Sequence, residues 1–241
     1  MSRKPDSTAF TLVELLVVLA ILGLLAVLAV GGVNTMLARA HGTKCASNLK
    51  QITTAIFLYA ADNNNRMPGP LFRSVRHPSV DPTVSYLSHT KDPKKSSSRD
   101  WLMPYLQSTN VWRCPANDAA FNANNGRLVY LINNQNSSDP VKFFGDPDTK
   151  QEPRTLVAIR AAGQGTFSYA TERSAIWLIS DIDGENFNST VSGGGQFSLP
   201  VTVLPPHNGG RNYSFLDGHV EFRTKPKDPK NLQPGEWPAN F

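Results

Sequence analysis

The chain has 241 residues, 40% of them hydrophobic and 18% charged, with 18 Pro and 17 Gly, which excludes a disordered polymer and predicts one core carrying many turns. The formal net charge is +5, yet no Lys/Arg run is interleaved with aromatics, which excludes a nucleic-acid surface. The densest basic stretch, KDPKKSSSR at 91–99, reads as a solvated loop.

Residues 1–9, MSRKPDSTA, form a polar leader whose Arg3 and Lys4 place it on the cytoplasmic side by the positive-inside tendency. Without it, 22 basic and 18 acidic residues remain. From Phe10 to Val30 run 21 residues with a single charge, Glu14. At about 1.5 Å per residue they reach roughly 30 Å, the thickness of a bilayer's hydrocarbon core. Residues 10–33 are therefore expected to be a transmembrane helix. The run is longer than the apolar region of a cleaved signal peptide and leads into further helix-forming sequence, which leaves an ordinary signal anchor as the alternative. An ionised Glu five residues into such a run needs a cation, because an isolated charge there costs a few kcal/mol.

Ala9-Phe10-Thr11-Leu12-Val13-Glu14-Leu15-Leu16 resembles the N-terminal motif of type IV pilins and type II secretion pseudopilins, which are made as prepilins. The resemblance implies cleavage between Ala9 and Phe10 by a prepilin peptidase, methylation of the new Phe10 amine, and assembly through Glu14, which pairs with the N-terminal amine of a neighbouring subunit. Ala9 stands where that family usually has Gly. A buried carboxylate and amine satisfy each other only when the second subunit arrives.

Beyond the apolar run, Cys45, Leu49, Ile52, Ile56 and Tyr59 recur at helical spacing, so one helix is expected from about Phe10 to Ala61, its rear half packed on a head. Asp62-Asn63-Asn64-Asn65 and then Pro68 should end it. This layout resembles the pilin plan: an α+β fold, with a long N-terminal helix packed on an antiparallel β-sheet head. The segment Lys44 to Ile52, the Cys114-Pro115 pair, and His207 followed after nine residues by Asp217-Gly218 also resemble a bacterial group of pilin-like proteins. Cys45 and Cys114 are read either as a disulfide, which closes a long loop outside the cytoplasm, or as two buried thiols.

The expected organisation is a leader at 1–9, an assembly helix at 10–33 and an extracytoplasmic head at 34–241. Within the head, 34–62 continues the helix, 63–127 is a loop-rich insertion, 128–225 is the sheet region and 226–241 is an extended tail. The insertion should hold a short helix from Asp100 to Leu106. Strands are expected at Leu128–Ile132, Thr155–Arg160, Ala175–Ser180 and Pro200–Leu204. A two-residue type I′ turn at Asp217-Gly218 should join Asn212–Leu216 to His219–Arg223, with Phe215 opposite Val220 and Tyr213 opposite Phe222.

Three constellations are candidates for other chemistry. Asp181, Asp183 and Glu185 alternate beside a glycine like the opening of a calcium loop, though too short for an EF-hand; a solvated Asp-capped turn is the plainer reading. His207, Asp217 and His219 offer transition-metal ligands if the hairpin folds back, against structural histidines. Trp101, Trp112, Trp177 and Trp237 offer stacking faces for sugars, against core packing. No nucleophile, P-loop or zinc-protease motif is present, so no enzyme activity and no required cofactor are expected. The reading is a subunit of a type II secretion pseudopilus or a type IV pilus. It would sit in the inner membrane with its head in the periplasm and then enter the filament. Its expected partners are copies of itself or other pilins, prepilin peptidase, the inner-membrane assembly machinery and lipid. The alternative is an anchored extracytoplasmic protein that binds polysaccharide or metal.

Overall fold

A computed structural model describes residues 11–69, 71, 74–75, 101–117, 130–133, 142–145, 151–163, 176–184, 202–207 and 209–224. The leader, Ala9, Phe10, Glu185, Trp237 and the tail at 226–241 lie outside the described residues, as do some side chains within the elements.

Helix α1 runs from Leu12 to Asp62, and the chain divides into two compact units, Met1–Ala40 and His41–Phe241. In the first unit every described side chain from 11 to 26 is exposed, including Leu12, Leu15, Leu16, Leu19, Leu22 and Leu25. Among the described residues no helix is long and apolar enough to cross a membrane.

In the second unit, α1 buries one face. Cys45, Asn48, Leu49, Ile52, Ala55, Ile56 and Ala60 are buried, while Lys44, Ser47, Gln51, Thr54 and Leu58 are exposed, the 3.6-residue alternation that the apolar spacing demands. Each of Leu49, Ile52 and Ile56 contributes about 1.5–3 kcal/mol by leaving water. The helix stops where Asn64 and Asn65 turn left-handed, at φ 54° and 58°, and the Asn65 N–H returns to the Ala60 carbonyl at 2.7 Å. Asn tolerates that conformation better than most residues, which is why the triple-Asn run ends the helix.

Five antiparallel strands follow in the order β1-β2-β3-β4-β5, with β1 at Ser74–Val75, β2 at Tyr130–Ile132, β3 at Trp177–Asp181, β4 at Gly210–Phe215 and β5 at Val220–Thr224. With α1 they form the α+β pilin-like architecture. One face of the sheet lies under α1, where Tyr130, Ile132, Leu178, Ile179 and Leu216 join the helix side chains in one core. The other face carries a second cluster of Leu131, Trp177, Ile182, Val203, Tyr213 and Phe215. A bulge between Trp177 and Ile179 lets Leu178 and Ile179 both serve the first core while Trp177 serves the second.

Several local expectations are corrected. The hairpin is one residue out of the expected register: Ser214 pairs with Val220, Tyr213 with Glu221 and Asn212 with Phe222. The Gly218 N–H bonds the Phe215 carbonyl at 2.8 Å and the Phe215 N–H bonds the His219 carbonyl at 3.0 Å. Gly218 has a φ of 88°, whereas Asp217 has no positive φ. The loop is therefore Leu216-Asp217-Gly218, with glycine as the left-handed third residue, rather than a two-residue turn. One residue of slip exchanges the faces, so Val220 packs on the α1 core and Phe222 is exposed.

Thr155–Arg160, expected to be a strand, falls instead at the start of helix α2, Leu156–Gly163; the Thr155 hydroxyl accepts the Ala158 N–H at 3.2 Å, a helix cap that the β-branched composition concealed. No strand occupies the described part of Pro200–Leu204, where Val203 supplies a single carbonyl to Gly184 N–H at 2.8 Å. The helix expected from Asp100 is only a 3-10 turn at Met103–Tyr105, with a second at Thr109–Trp112. Within residues 63–127, Leu102, Val111, Trp112 and Cys114 belong to the core.

Gly218 is held by more than its conformation. A Cβ there would meet Phe57 Cε2 at 3.2 Å. Gly218→Ala is expected to destabilise the protein by about 1–3 kcal/mol, read as a lower denaturant midpoint at unchanged slope.

Candidate functional site

At the start of α1, Thr11 and Glu14 form a capping box. Glu14 Oε2 accepts the Thr11 N–H at 2.9 Å and its hydroxyl at 2.7 Å, and the Glu14 N–H returns to Thr11 Oγ1 at 3.3 Å. The T-x-x-E spacing does this because residues three apart share a helix face and the first N–H groups have no carbonyl to bond. Glu14 thus already terminates the helix within its own chain, a role that the sequence signal held but that was not read from it. Both bonds fall on Oε2. The exposed apolar residues that follow make a contiguous patch of the kind that marks a membrane or protein contact.

A second group of residues lies in the head. Cys45 and Cys114 are bonded to each other, with Cα atoms 4.9 Å apart at a sequence separation of 69. Both are buried. Asn48 Nδ2, one turn along α1 from Cys45, donates to the Arg113 carbonyl at 2.8 Å, which clamps the same segment beside the disulfide. His207 Nε2 sits 3.1 Å from Asp181 Oδ2 and 3.5 Å from Cys114 Sγ. Its backbone is tied to Gly210 by paired bonds of 3.3 and 3.1 Å. Asp181 Oδ2 also accepts the Asn212 backbone and side-chain N–H groups at 2.8 and 3.0 Å.

The spacing of His207 and Asp217-Gly218 thereby acquires a physical reading. His207 pins the entrance of β4 to the disulfide, and the turn at its exit rests on α1: Lys50 Nζ donates to the Gly218 carbonyl, above the Phe57 ring. At the tip, Asp217 Oδ1 accepts the His219 N–H at 3.0 Å and lies 2.6 Å from its Nδ1, while the His219 ring stacks on Phe215 at 4.3 Å. His207 is thus not joined with Asp217 and His219. Among the described residues, the side chains around it that could share a metal are Cys45 and Cys114.

Of the carboxylates expected at a calcium loop, Asp181 and Asp183 are buried and engaged. Asp183 receives Arg211 bidentately, through Nε on Oδ2 and through Nη2 on Oδ1, the latter at 2.8 Å. Burial alone would lower the Arg211 guanidinium, and the bonds it donates to Asp183 and Tyr213 turn the shift upward. Arg211 was not singled out in the sequence; a charge within a buried strand requires a partner, and that was the available signal. Trp112 and Trp177 are core residues, and Trp101 packs edge-on to Tyr59 at 5.7 Å, so these three do not form a stacking platform.

Arg211→Met is expected to cost about 3–5 kcal/mol, because it strands Asp183 in the interior; combining it with Asp183→Leu should recover most of that loss in urea unfolding. At the hairpin tip, burial raises the Asp217 carboxyl, but the His219 N–H and ring together hold it below the ordinary value. Its contribution is then complete above the unfolded carboxylate pKa of about 3.9 and is lost as pH falls through the lower folded value. The stability difference between wild type and Asp217→Asn should therefore be level near neutrality and shrink on acidification.

A search of curated proteins and of solved structures returns no match to this chain. Residues 5–30 match the family model described as the prokaryotic N-terminal methylation motif. That segment covers the Ala9-Phe10 junction, Glu14 and the apolar patch. Residues 5–30 of this protein therefore carry a prepilin-type N-terminal methylation motif.

Proposed function

We propose that this pilin-like protein is a structural subunit of a type IV pilus or a type II secretion pseudopilus. The observation that carries the reading is the methylation segment at 5–30, which covers the Ala9-Phe10 junction and, four residues after Phe10, the single acid of the apolar run, Glu14. The chain performs no bond chemistry. It inserts in the inner membrane through residues 10–33, with the leader in the cytoplasm and the head in the periplasm. Prepilin peptidase cuts between Ala9 and Phe10, and the new amine is methylated.

Assembly with copies of itself or other pilins then follows from two physical demands. The apolar side chains from Leu12 to Leu25 must leave water, in lipid first and then against neighbouring helices. Glu14 must keep a partner when it moves into that interior. Its Oε2 is held by Thr11, so Oε1 is the atom offered to the amine of a neighbour, and the docking register is set there. Inner-membrane machinery supplies the work.

The mass of the N-terminal fragment recovered from membranes containing a prepilin peptidase is expected to correspond to a chain beginning at methylated Phe10. Glu14→Ala should leave cleavage intact and reduce incorporation into filaments by at least about tenfold, the equivalent of 1.4 kcal/mol of lost association. A chain retaining residues 1–9 in those membranes, or undiminished incorporation of the variant, would overturn the reading.

A further inference from the structure

We propose that the chain, when its disulfide is reduced, holds a late divalent transition metal, Zn²⁺ by preference, on Cys45 Sγ, Cys114 Sγ and His207 Nε2. The inference is independent of filament assembly. The potential ligand atoms of these three residues lie within 4.8 Å of one another, and all three residues are buried.

The donor set decides the metal. Two thiolates and an imidazole are the soft and borderline ligands that select Zn²⁺ and disfavour Ca²⁺ and Mg²⁺, which require oxygen. Tetrahedral Zn²⁺ holds two thiolates about 3.8 Å apart, so the sulfurs must separate by rotation of side chains whose Cα atoms stand 4.9 Å apart. His207 is already aimed correctly. Its Nε2 faces Cys114 Sγ at 3.5 Å, and its buried Nδ1 has no hydrogen-bond partner, so the ring is oriented from the Nε2 side. The fourth position has a nearby oxygen in Asp181 Oδ2, 3.1 Å from Nε2. That carboxylate is itself held by Asn212, the kind of outer support that fixes metal ligands.

The three ligands come from three separate segments: α1, the loop after the 3-10 turn at Thr109–Trp112, and the bend before β4. Metal and disulfide are thus alternative staples for the same junction. Reduction by a phosphine consumes one water, yields two thiols and leaves the phosphine oxide. Binding of Zn²⁺ then releases the two thiol protons. In the reverse direction a partner disulfide accepts two electrons and two protons to become two thiols, the Cys45–Cys114 bond forms, and Zn²⁺ departs.

The full-length protein in detergent, reduced anaerobically with a phosphine, is titrated with Co²⁺ and then Zn²⁺. The expected result is one Co²⁺ per chain with the intense visible bands of a tetrahedral site and sulfur-to-cobalt charge transfer, abolished by stoichiometric Zn²⁺ and absent from the oxidised protein. His207→Ala should weaken binding at least about 100-fold. Only the weak bands of octahedral Co²⁺ in the reduced chain, or undiminished binding by His207→Ala, would overturn the proposal. So would a reduced chain that loses its circular dichroism and is not restored by Zn²⁺. Should His207→Ala fail to fold, zinc X-ray absorption on the reduced wild type decides: a shell of two sulfurs completed by nitrogen or oxygen supports the site, and a shell without sulfur sinks it.

Discussion

The bond between Cys45 and Cys114 joins a helix to a segment that has almost no regular structure of its own. Residues 101–117 contain only two 3-10 turns, yet they bury Leu102, Val111 and Trp112 in the main core. Short turns make few hydrogen bonds to repay the entropy of ordering them. Closing 69 residues removes that entropy from the unfolded chain instead, an effect of about 4 kcal/mol in the chain-entropy account. Asn48 to Arg113 and the Tyr105 hydroxyl to Asp62, at 2.8 and 2.9 Å, fasten the same segment at separate points along α1. The covalent link sets the position, and the hydrogen bonds set the orientation.

From that junction the polar interior spreads through β3 and β4 without breaking the apolar cores. Asp181 and Asn212 complete each other on the α1 side, while Asp183, Arg211 and Tyr213 form a linked group elsewhere in the interior. A buried charge pair of this kind is weak evidence of net stability, because desolvation offsets much of its attraction. Its stronger effect is on alternatives, since a shift of register would strand Arg211 or Asp183 without its partner. The bulge at Trp177 serves the same end by letting one strand feed both cores.

The first unit has the opposite character. Its described side chains from 11 to 26 are exposed and mostly apolar, so the stability of that stretch rests on backbone hydrogen bonds and on the Thr11–Glu14 cap until something covers it. Glu14 illustrates how little of a side chain such a cap takes: both of its bonds from Thr11 fall on Oε2. The two units thus differ in kind: an N-terminal segment that carries the methylation motif and exposes apolar side chains, and a second unit whose buried contacts fix its own shape.

Local chemistry settled some of this in advance. Twenty-one nearly uncharged residues around a lone acid fixed the prepilin character of residues 5–30, because apolarity and spacing are properties of the chain itself. The apolar face from Cys45 to Ile56 and the triple-Asn stop were legible for the same reason, and they placed the end of α1 within one residue. The Asp-Gly pair announced a hairpin but not its register, since glycine can be the second residue of a two-residue turn or the third of a longer one; packing of Val220 and Leu216 on α1 chose between them. Thr155–Arg160 failed as a strand because a β-branched residue can equally cap a helix. The meeting of Cys45, Cys114, Asp181 and His207 was decided by tertiary structure alone. Their partners lie far apart along the chain, and only the packing of helix, loop and sheet sets the distance at which their atoms can react, pair or bind.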